Sequence, residues 1–199
     1  MPTGVAIRDV REQLFAAAER LLLRAGPGAL TSRAVTEEAG CAKGVLHRHF
    51  PDFDAFLAEL VLDRVARTEV RGAELLAAAG TGTVVGNVAG ALTELFDTVA
   101  VAVVALVVFR DEVRARLRRT TPKGVPVLTE AARALARYLT AEREAGRIAS
   151  GADTGALAPS LVGAAHLLFA DRTAGPPDEA AVTRVVAGVL GPALPGTGN

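Results

Sequence analysis

The chain has 199 residues, enough for one large domain or two small ones, and half of them are hydrophobic, which excludes a largely disordered protein. Its 22 lysines and arginines equal its 22 acids, so net charge by itself does not indicate a nucleic-acid partner. One cysteine excludes an internal disulfide, no signal-peptide pattern opens the chain, and the longest apolar run, residues 99–109, is shorter than the roughly 20 residues of a membrane span. These features predict a cytoplasmic protein with no membrane partner.

The first predicted elements are three helices. Residues 7–25 place apolar side chains at helical spacing, which predicts an amphipathic helix that Gly26 and Pro27 end. The segment TSRAVTEEAGCAKGVLHRHF, residues 31–50, then predicts a short helix, a tight turn and a second short helix. Such a pair can place one helix in the major groove of DNA while the other braces it.

Individual residues support this helix-turn-helix interpretation. The Thr31 hydroxyl can cap the first short helix, and Gly40 supplies left-handed backbone at its end. The second short helix is expected to start at Lys43. Leu46 and Phe50 are four residues apart and therefore share its buried side.

The segment resembles the tetracycline-repressor (TetR) family of bacterial transcription regulators. Its flanks do so too: REQLFAAAERLLLRAG, residues 11–26, resembles the first helix of the family, and PDFDAFLAELV, residues 51–61, resembles the start of its fourth. The resemblance covers about residues 8–62. Two positions depart from it, since His47 stands where the family usually has a tyrosine and Phe53 where it usually has a lysine. Both family residues usually touch phosphate, and Phe53 removes one cation.

The resemblance implies a DNA-contacting surface on the two short helices. Arg33 is the candidate for base reading, because a guanidinium can pair twice with guanine. His47 and Arg48 are expected to hold phosphate, and Lys43 can do either; the alternative for each is an ordinary solvated side chain. The full set is Ser32, Arg33, Ala42, Lys43, Gly44, His47, Arg48 and His49.

Charge along the chain supports this surface only weakly. Residues 1–50 hold seven cations and five acids, a net of +2, whereas residues 51–80 hold three cations and six acids, a net of −3. Binding through so few cations should also depend on the geometry of a dimer.

The rest of the chain predicts further helices. They are expected at about residues 53–79, 83–99, 101–118, 126–146, 152–174 and 178–190, with Pro126 in the first turn of one and Pro159 delaying or kinking another. The valine-rich stretch before residue 110 could form a buried strand, but its length favours helix. Five arginines between residues 110 and 119 indicate a solvated helix end or, alternatively, a second nucleic-acid contact.

Few residues in this part suggest chemistry. No nucleophile motif, nucleotide-binding glycine pattern or Cys/His cluster of zinc spacing occurs, so we expect no enzyme, cofactor or metal site. Cys41 fits a small buried hydrophobe better than a redox sensor. His166 is expected to be a hydrogen-bonded core or interface histidine, or else a ligand contact.

Together these features predict an all-α protein in three parts. Residues 1–52 form a helix-turn-helix DNA-binding domain, residues 53–190 form a helical domain for ligand binding and dimerisation, and residues 191–199 form a flexible tail. The resemblance implies a homodimer through the last two long helices. The apolar sides expected there are Leu161, Ala164, Ala165 and Leu168, and Val182, Val185, Val186 and Val189, with Gly163 and Gly188 allowing close approach.

The body is poor in aromatic and polar residues, so its cavity should suit a small apolar effector. The expected function is a transcriptional regulator, a repressor that such a ligand releases from operator DNA. The alternative is a helical small-molecule-binding protein whose head no longer reads DNA. Candidate ligand contacts are Asn87, Phe96, Asp97, Phe109, Tyr138, His166 and Phe169.

Overall fold

All regular elements in the described residues of the computed structural model are helices, which confirms the predicted all-α class. The structure describes residues 4–96, 100–120, 123–170 and 175–195, and the side chains from residue 10 onward. Asp97 therefore lies outside the described residues. The helices are α1 (Gly4–Ala25), α2 (Ser32–Glu38), α3 (Val45–His49), α4 (Phe53–Ala77), α5 (Val84–Phe96), α6 (Ala100–Phe109), α7 (Asp111–Leu117), α8 (Leu128–Glu144), α9 (Thr154–Ala170) and α10 (Glu179–Leu190).

The chain divides into two compact units that do not follow its linear order. Residues 1–63 and 102–123 form one, here called the head unit. Residues 64–101 and 124–199 form the other, the body unit. The predicted boundary after residue 52 thus falls inside the head unit, which also includes a stretch of chain far downstream.

Aromatic packing organises the core of the head unit. Phe15, Phe50 and Phe56 are buried, and their ring centroids lie 5.0–5.9 Å apart. Leu46 is fully buried beside them on α3. Burial of such a side chain contributes roughly 1.5–3 kcal/mol, so these residues fix α3 and α4 against α1.

A buried carboxylate anchors the turn between α4 and α5 in the body unit. Glu142 on α8 is fully buried, and its Oε1 accepts the Gly80 backbone N–H at 3.3 Å while its Oε2 lies 3.1 Å from Arg147 Nε. Arg147 in turn donates to the carbonyls of Thr81 and Gly82 at 3.2 and 2.9 Å. A buried charge is tolerated when it is paired in this way.

The remaining body helices pack around α5 and α9. Helix α8 packs on α9, and α10 packs on both α5 and α9, burying Leu92, Leu161 and Val186. Within the described ranges no single helix is long and apolar enough to cross a membrane; α5 and α6 meet the length and composition only when taken together.

Three local expectations need correction. Pro126 lies before α8 and not in its first turn, because the helix begins only at Leu128. Val127 between them has a φ of +73°, and its N–H donates to Glu130 Oε2 at 2.8 Å. Pro159 neither delays nor ends α9, which begins at Thr154 and continues through it. The predicted helix 101–118 is broken at Arg110, whose extended backbone separates α6 from α7.

The predicted tail begins with an ordered turn. Gly191–Ala193 form a 3-10 turn, and Ala193 is buried. The Ala193 carbonyl accepts the Ala149 N–H at 2.8 Å, which ties this turn to the segment that follows α8.

Candidate nucleic-acid interface

Local hydrogen bonds set the helix-turn-helix geometry. The Thr31 hydroxyl accepts the Ala34 N–H at 3.1 Å, so Thr31 caps α2 as predicted. Gly40 has a φ of +66°, a conformation that strains residues with a Cβ, and it also fulfils its predicted role. The Cys41 N–H then donates to the Thr36 carbonyl at 2.9 Å, which closes the turn. Cys41 itself is half-buried rather than buried.

The predicted DNA-contacting residues lie at the start of α2 and in the turn and helix α3. Helix α3 begins at Val45, so Ala42, Lys43 and Gly44 belong to the turn before it rather than to the helix. The set divides by exposure: Arg33, Ala42, Lys43, Gly44, His47 and Arg48 are exposed, and Ser32 and His49 are half-buried.

Ion pairs decide which cations of the helix-turn-helix are available. Arg33 Nε donates to Glu37 Oε1 at 2.7 Å, and this hydrogen bond raises the pKa of the guanidinium. Arg20 and Arg24 both bind Glu38, which lowers the pKa of that carboxyl. This contact uses the Nε–H of Arg33, which is one of the five donors of a guanidinium.

The start of α4 is held by residues that sequence reasoning did not identify. Asp52 caps α4 by accepting the Ala55 N–H at 2.8 Å, and Arg116 of α7 binds its other oxygen at 2.6 Å. That backbone bond, and then Arg116, hold the pKa of Asp52 below its ordinary value. The cluster of arginines after residue 109 was the only sequence signal for this contact.

Phe53 stands where the resemblance predicts a lysine, and the guanidinium of Arg110 lies over its ring. Its ring stacks on Phe56 at 5.7 Å, and the Arg110 guanidinium carbon lies 5.6 Å from the Phe53 centroid. Arg110 also donates to the Leu30 carbonyl at 3.1 Å and lies 3.5 Å from Asp54. The guanidinium of Arg110 is thus bound by groups within the protein.

Comparison with known proteins gives a family match for the N-terminal part of the chain. Residues 14–60 match the model for bacterial regulatory proteins of the tetR family. This match runs from α1 to the first part of α4 and includes the helix-turn-helix. No curated protein matches the chain at a significant level.

Several solved structures match nearly the whole chain in fold. The reduced form of Escherichia coli NemR is 18% identical with a TM-score of 0.74, over 94% of this chain and 100% of that one. A TetR-family regulator from Agrobacterium tumefaciens is 17% identical with a TM-score of 0.72, over 95% and 100%. FadR from Bacillus subtilis, in complex with stearoyl-CoA, is 17% identical with a TM-score of 0.65, over 90% and 97%.

Five of the seven predicted ligand contacts fall into two clusters at opposite ends of α5. Asn87 Nδ2 donates to the Tyr138 hydroxyl at 3.0 Å, and burial, together with Glu142, raises the pKa of Tyr138 to about 12. At the other end, the Phe96 ring stacks on Phe169 at 5.7 Å and lies 5.8 Å from His166.

Two of these expectations change. Phe109 is 79% exposed, so its ring is not packed in a core as expected of a cavity wall. His166 was expected to be hydrogen-bonded, but its Nδ1 is buried without a partner, and burial lowers its pKa.

A small apolar cavity lies in the body unit, and none of the predicted ligand contacts lines it. Its volume is about 30 Å³, and Gly72 of α4 is part of its lining. A Cβ at Gly72 would come within 2.6 Å of the Ala134 Cβ, so α4 and α8 approach closely at this point. In its present form the cavity has room for about a water molecule or two. It is lined by Thr68, Arg71, Gly72, Leu75, Ala91, Leu92, Leu95, Ala131, Ala134 and Leu135. No cluster of His, Cys, Asp or Glu among the described residues could hold a metal ion.

The exposed face of α9 is not the one expected. Leu161, Ala165, Val182 and Val186 are buried within the subunit, whereas Leu167 is 75% exposed. The residues that share the outward side of α9 with Leu167 lie three or four positions apart, and they are Ala156, Ser160, Gly163 and Ala170. The expected contact side is therefore rotated, because α9 uses its Leu161 side to pack on α8 and α10.

Proposed function

We propose that this protein is a TetR-type repressor that binds operator DNA as a homodimer and is released by a small apolar ligand. The DNA-binding part rests on a group of exposed residues in and before α3, which the buried Leu46 and Phe50 hold in place. They are Ala42, Lys43, Gly44, His47 and Arg48. Lys43 and Arg48 supply charge there, and His47 can still donate a hydrogen bond.

The outward side of α9 supports dimerisation. A stripe of small residues with one large apolar side chain, Leu167, lets two helices approach closely and leaves an apolar surface that a second copy would cover. A groove of about 490 Å³ beside it shares Ala156 and Ser160 with this stripe and extends to Val189 of α10. A dimer offers two recognition elements, and these must lie about 34–36 Å apart to reach successive major grooves.

The body supports ligand sensing through its apolar cavity. Ligand pockets are typically about 300–1,000 Å³, so the cavity of about 30 Å³ must open before it can hold an effector. The unpaired His166 Nδ1 and the Asn87–Tyr138 pair supply polar contacts at the ends of α5. The stearoyl-CoA complex of FadR shows an acyl ligand in a protein of this fold, which is consistent with an apolar effector here. The ligand can release DNA only if it binds one dimer spacing better than the other.

The test is binding to DNA from the region upstream of the protein's own gene, followed by fluorescence anisotropy. Specific binding should exceed binding to unrelated DNA and should fall with rising salt. Arg33→Ala should relax preference at one base position at a cost of roughly 1–3 kcal/mol. A uniform loss across all sequences would make Arg33 a phosphate contact instead.

An apolar compound that binds should raise the melting temperature and weaken operator affinity by the same coupling free energy that DNA exerts on the compound. The alternative function, a small-molecule-binding protein with an inactive head, rests on the missing cation at Phe53. It would be supported by compounds that stabilise the fold while no DNA binds at any salt concentration. Stabilisation without a change in DNA affinity would contradict the release mechanism.

A further inference from the structure

The downstream segment of the head unit changes the sign of its charge. Residues 1–63 hold seven cations and nine acids, a net of −2. Residues 102–123 hold six cations and two acids, a net of +4, so the assembled unit carries +2. A DNA-binding unit with a net negative charge would repel phosphate, and in this chain the segment carrying α7 reverses that charge.

Most cations of the head unit are already neutralised by acids. Arg11, Arg20, Arg24 and Arg33 form ion pairs with glutamates. On the downstream segment, the cations paired with aspartates are Arg110, Arg114 and Arg116. Five cations of this unit form no ion pair among the side chains that the structure describes. They are Lys43, Arg48, Arg118, Arg119 and Lys123.

Two of those five belong to the helix-turn-helix, and the other three follow α7. Arg118, Arg119 and Lys123 are exposed, and we call them the α7 patch. A structural role in salt bridges does not account for them, since Arg110, Arg114 and Arg116 already make those contacts.

The anchor at Asp52 places this patch near the proposed DNA surface. Asp52 comes two residues after Phe50, the residue that ends α3, and it binds Arg116 at 2.6 Å. Arg118 and Arg119 follow Arg116 by two and three residues, so their Cα atoms lie within about 11 Å of the Arg116 Cα. Phe53 supplies no cation at the start of α4, and the Arg116–Asp52 pair joins the segment that carries the α7 patch to this position.

We propose that the α7 patch is a second DNA-contacting site, which binds the phosphate backbone beside the groove that α2 and α3 address. This inference rests on the proposed DNA-binding function. Its ligand is the duplex backbone, so the contact is independent of base sequence. Each phosphate that a cation neutralises contributes about −0.9 to the slope of log affinity against log salt.

The experiment measures that slope with the full chain and a short duplex of unrelated sequence. The test variant is Arg118→Gln/Arg119→Gln, which should reduce the slope by about 1.8. The advantage of the wild type over this variant should then grow about 12-fold when salt is lowered from about 200 to 50 mM. Adding Lys123→Gln should remove about 0.9 more from the slope.

Two control variants separate this inference from the proposed function. Arg133→Gln/Arg137→Gln makes the same change in charge at exposed positions of α8 in the body unit and should leave the slope nearly unchanged. Lys43→Gln/Arg48→Gln removes charge from the helix-turn-helix and should also lower the slope. The melting temperature of every variant should match that of the wild type, because all the altered side chains are exposed. Of the control substitutions, Arg133→Gln also removes a long ion pair with Glu130, which should contribute little to stability.

The outcomes are distinct. A full slope in the α7 variant beside a reduced slope in the helix-turn-helix variant would refute the second site while DNA binding stands. An equal loss in the α8 control would attribute the effect to net charge and would also refute it. No salt-dependent binding by the wild type would overturn both the second site and the proposed function.

Discussion

Replacing Leu167 tests the proposed dimer at its most exposed apolar side chain. Full burial of a leucine contributes roughly 1.5–3 kcal/mol, and 75% of Leu167 is exposed in the single subunit. Covering it in a symmetric dimer therefore contributes about 1–2 kcal/mol per subunit, or about 2–4 kcal/mol for the pair. Leu167→Ala should weaken the dimer by roughly 30- to 700-fold, since about 1.4 kcal/mol corresponds to a factor of ten. Leu167→Glu should give monomers, because it also buries a charge.

Analytical ultracentrifugation over a range of protein concentrations measures this effect directly. Val70→Glu is the matched control, since Val70 is an exposed apolar residue of α4 away from α9, and this variant should dimerise like the wild type. Operator affinity of the Leu167 variants should fall with the dimer, whereas their single-subunit fold should persist. An unchanged dimer in Leu167→Glu would refute the assignment of the interface to the outward side of α9.

Three further substitutions test contacts that stabilise the fold of a single subunit. Gly72→Ala should cost about 1–3 kcal/mol in thermal unfolding, because the new Cβ would meet Ala134 Cβ at 2.6 Å, and Ala134→Gly in the same chain should recover part of the loss; a neutral Gly72→Ala would mean that α4 and α8 separate easily. Thr31→Ala should cost about 1 kcal/mol by removing the cap of α2, whereas Thr31→Ser should retain most of it. Burial lowers the folded pKa of His166 below 6.5, so the unfolded chain takes up its proton first and stability is lost as pH falls through 6.5 toward the folded pKa. His166→Asn should reduce the difference in urea midpoint between about pH 7.5 and 5.5, and an unchanged difference would assign the pH dependence to other groups.

The sequence predicted what local patterns determine. Helical spacing located α1 and α4, and the Thr31 cap and the Gly40 turn were identified because their chemistry depends on neighbours within a few residues. The break at Arg110 could not be predicted in this way. It depends on contacts with Leu30 and Asp54, which are 80 and 56 residues away.

The orientation of helix faces was the other limit. Helix α9 is apolar around most of its circumference, so periodicity could not distinguish the side that packs inside the subunit from the outward side of Leu167. Glu142 was missed for a related reason: a single carboxylate in a polar helix gives no sign that it is fully buried beneath a distant turn. For the DNA-contacting residues the resemblance supplied the positions, and the exposure of most of them is consistent with that role.

The two-stretch composition of the head unit has a consequence for synthesis and for engineering. The Leu30 carbonyl accepts a hydrogen bond from Arg110, which lies 80 residues later in the chain. The head unit therefore cannot form all its contacts until residues 102–123 have been synthesised. Closing so long a loop costs entropy that contacts within residues 1–63 do not require. A chimera that grafts only the first 63 residues onto another body would therefore leave Asp52 without Arg116 and Leu30 without Arg110. A graft that keeps the head intact has to transplant both stretches together.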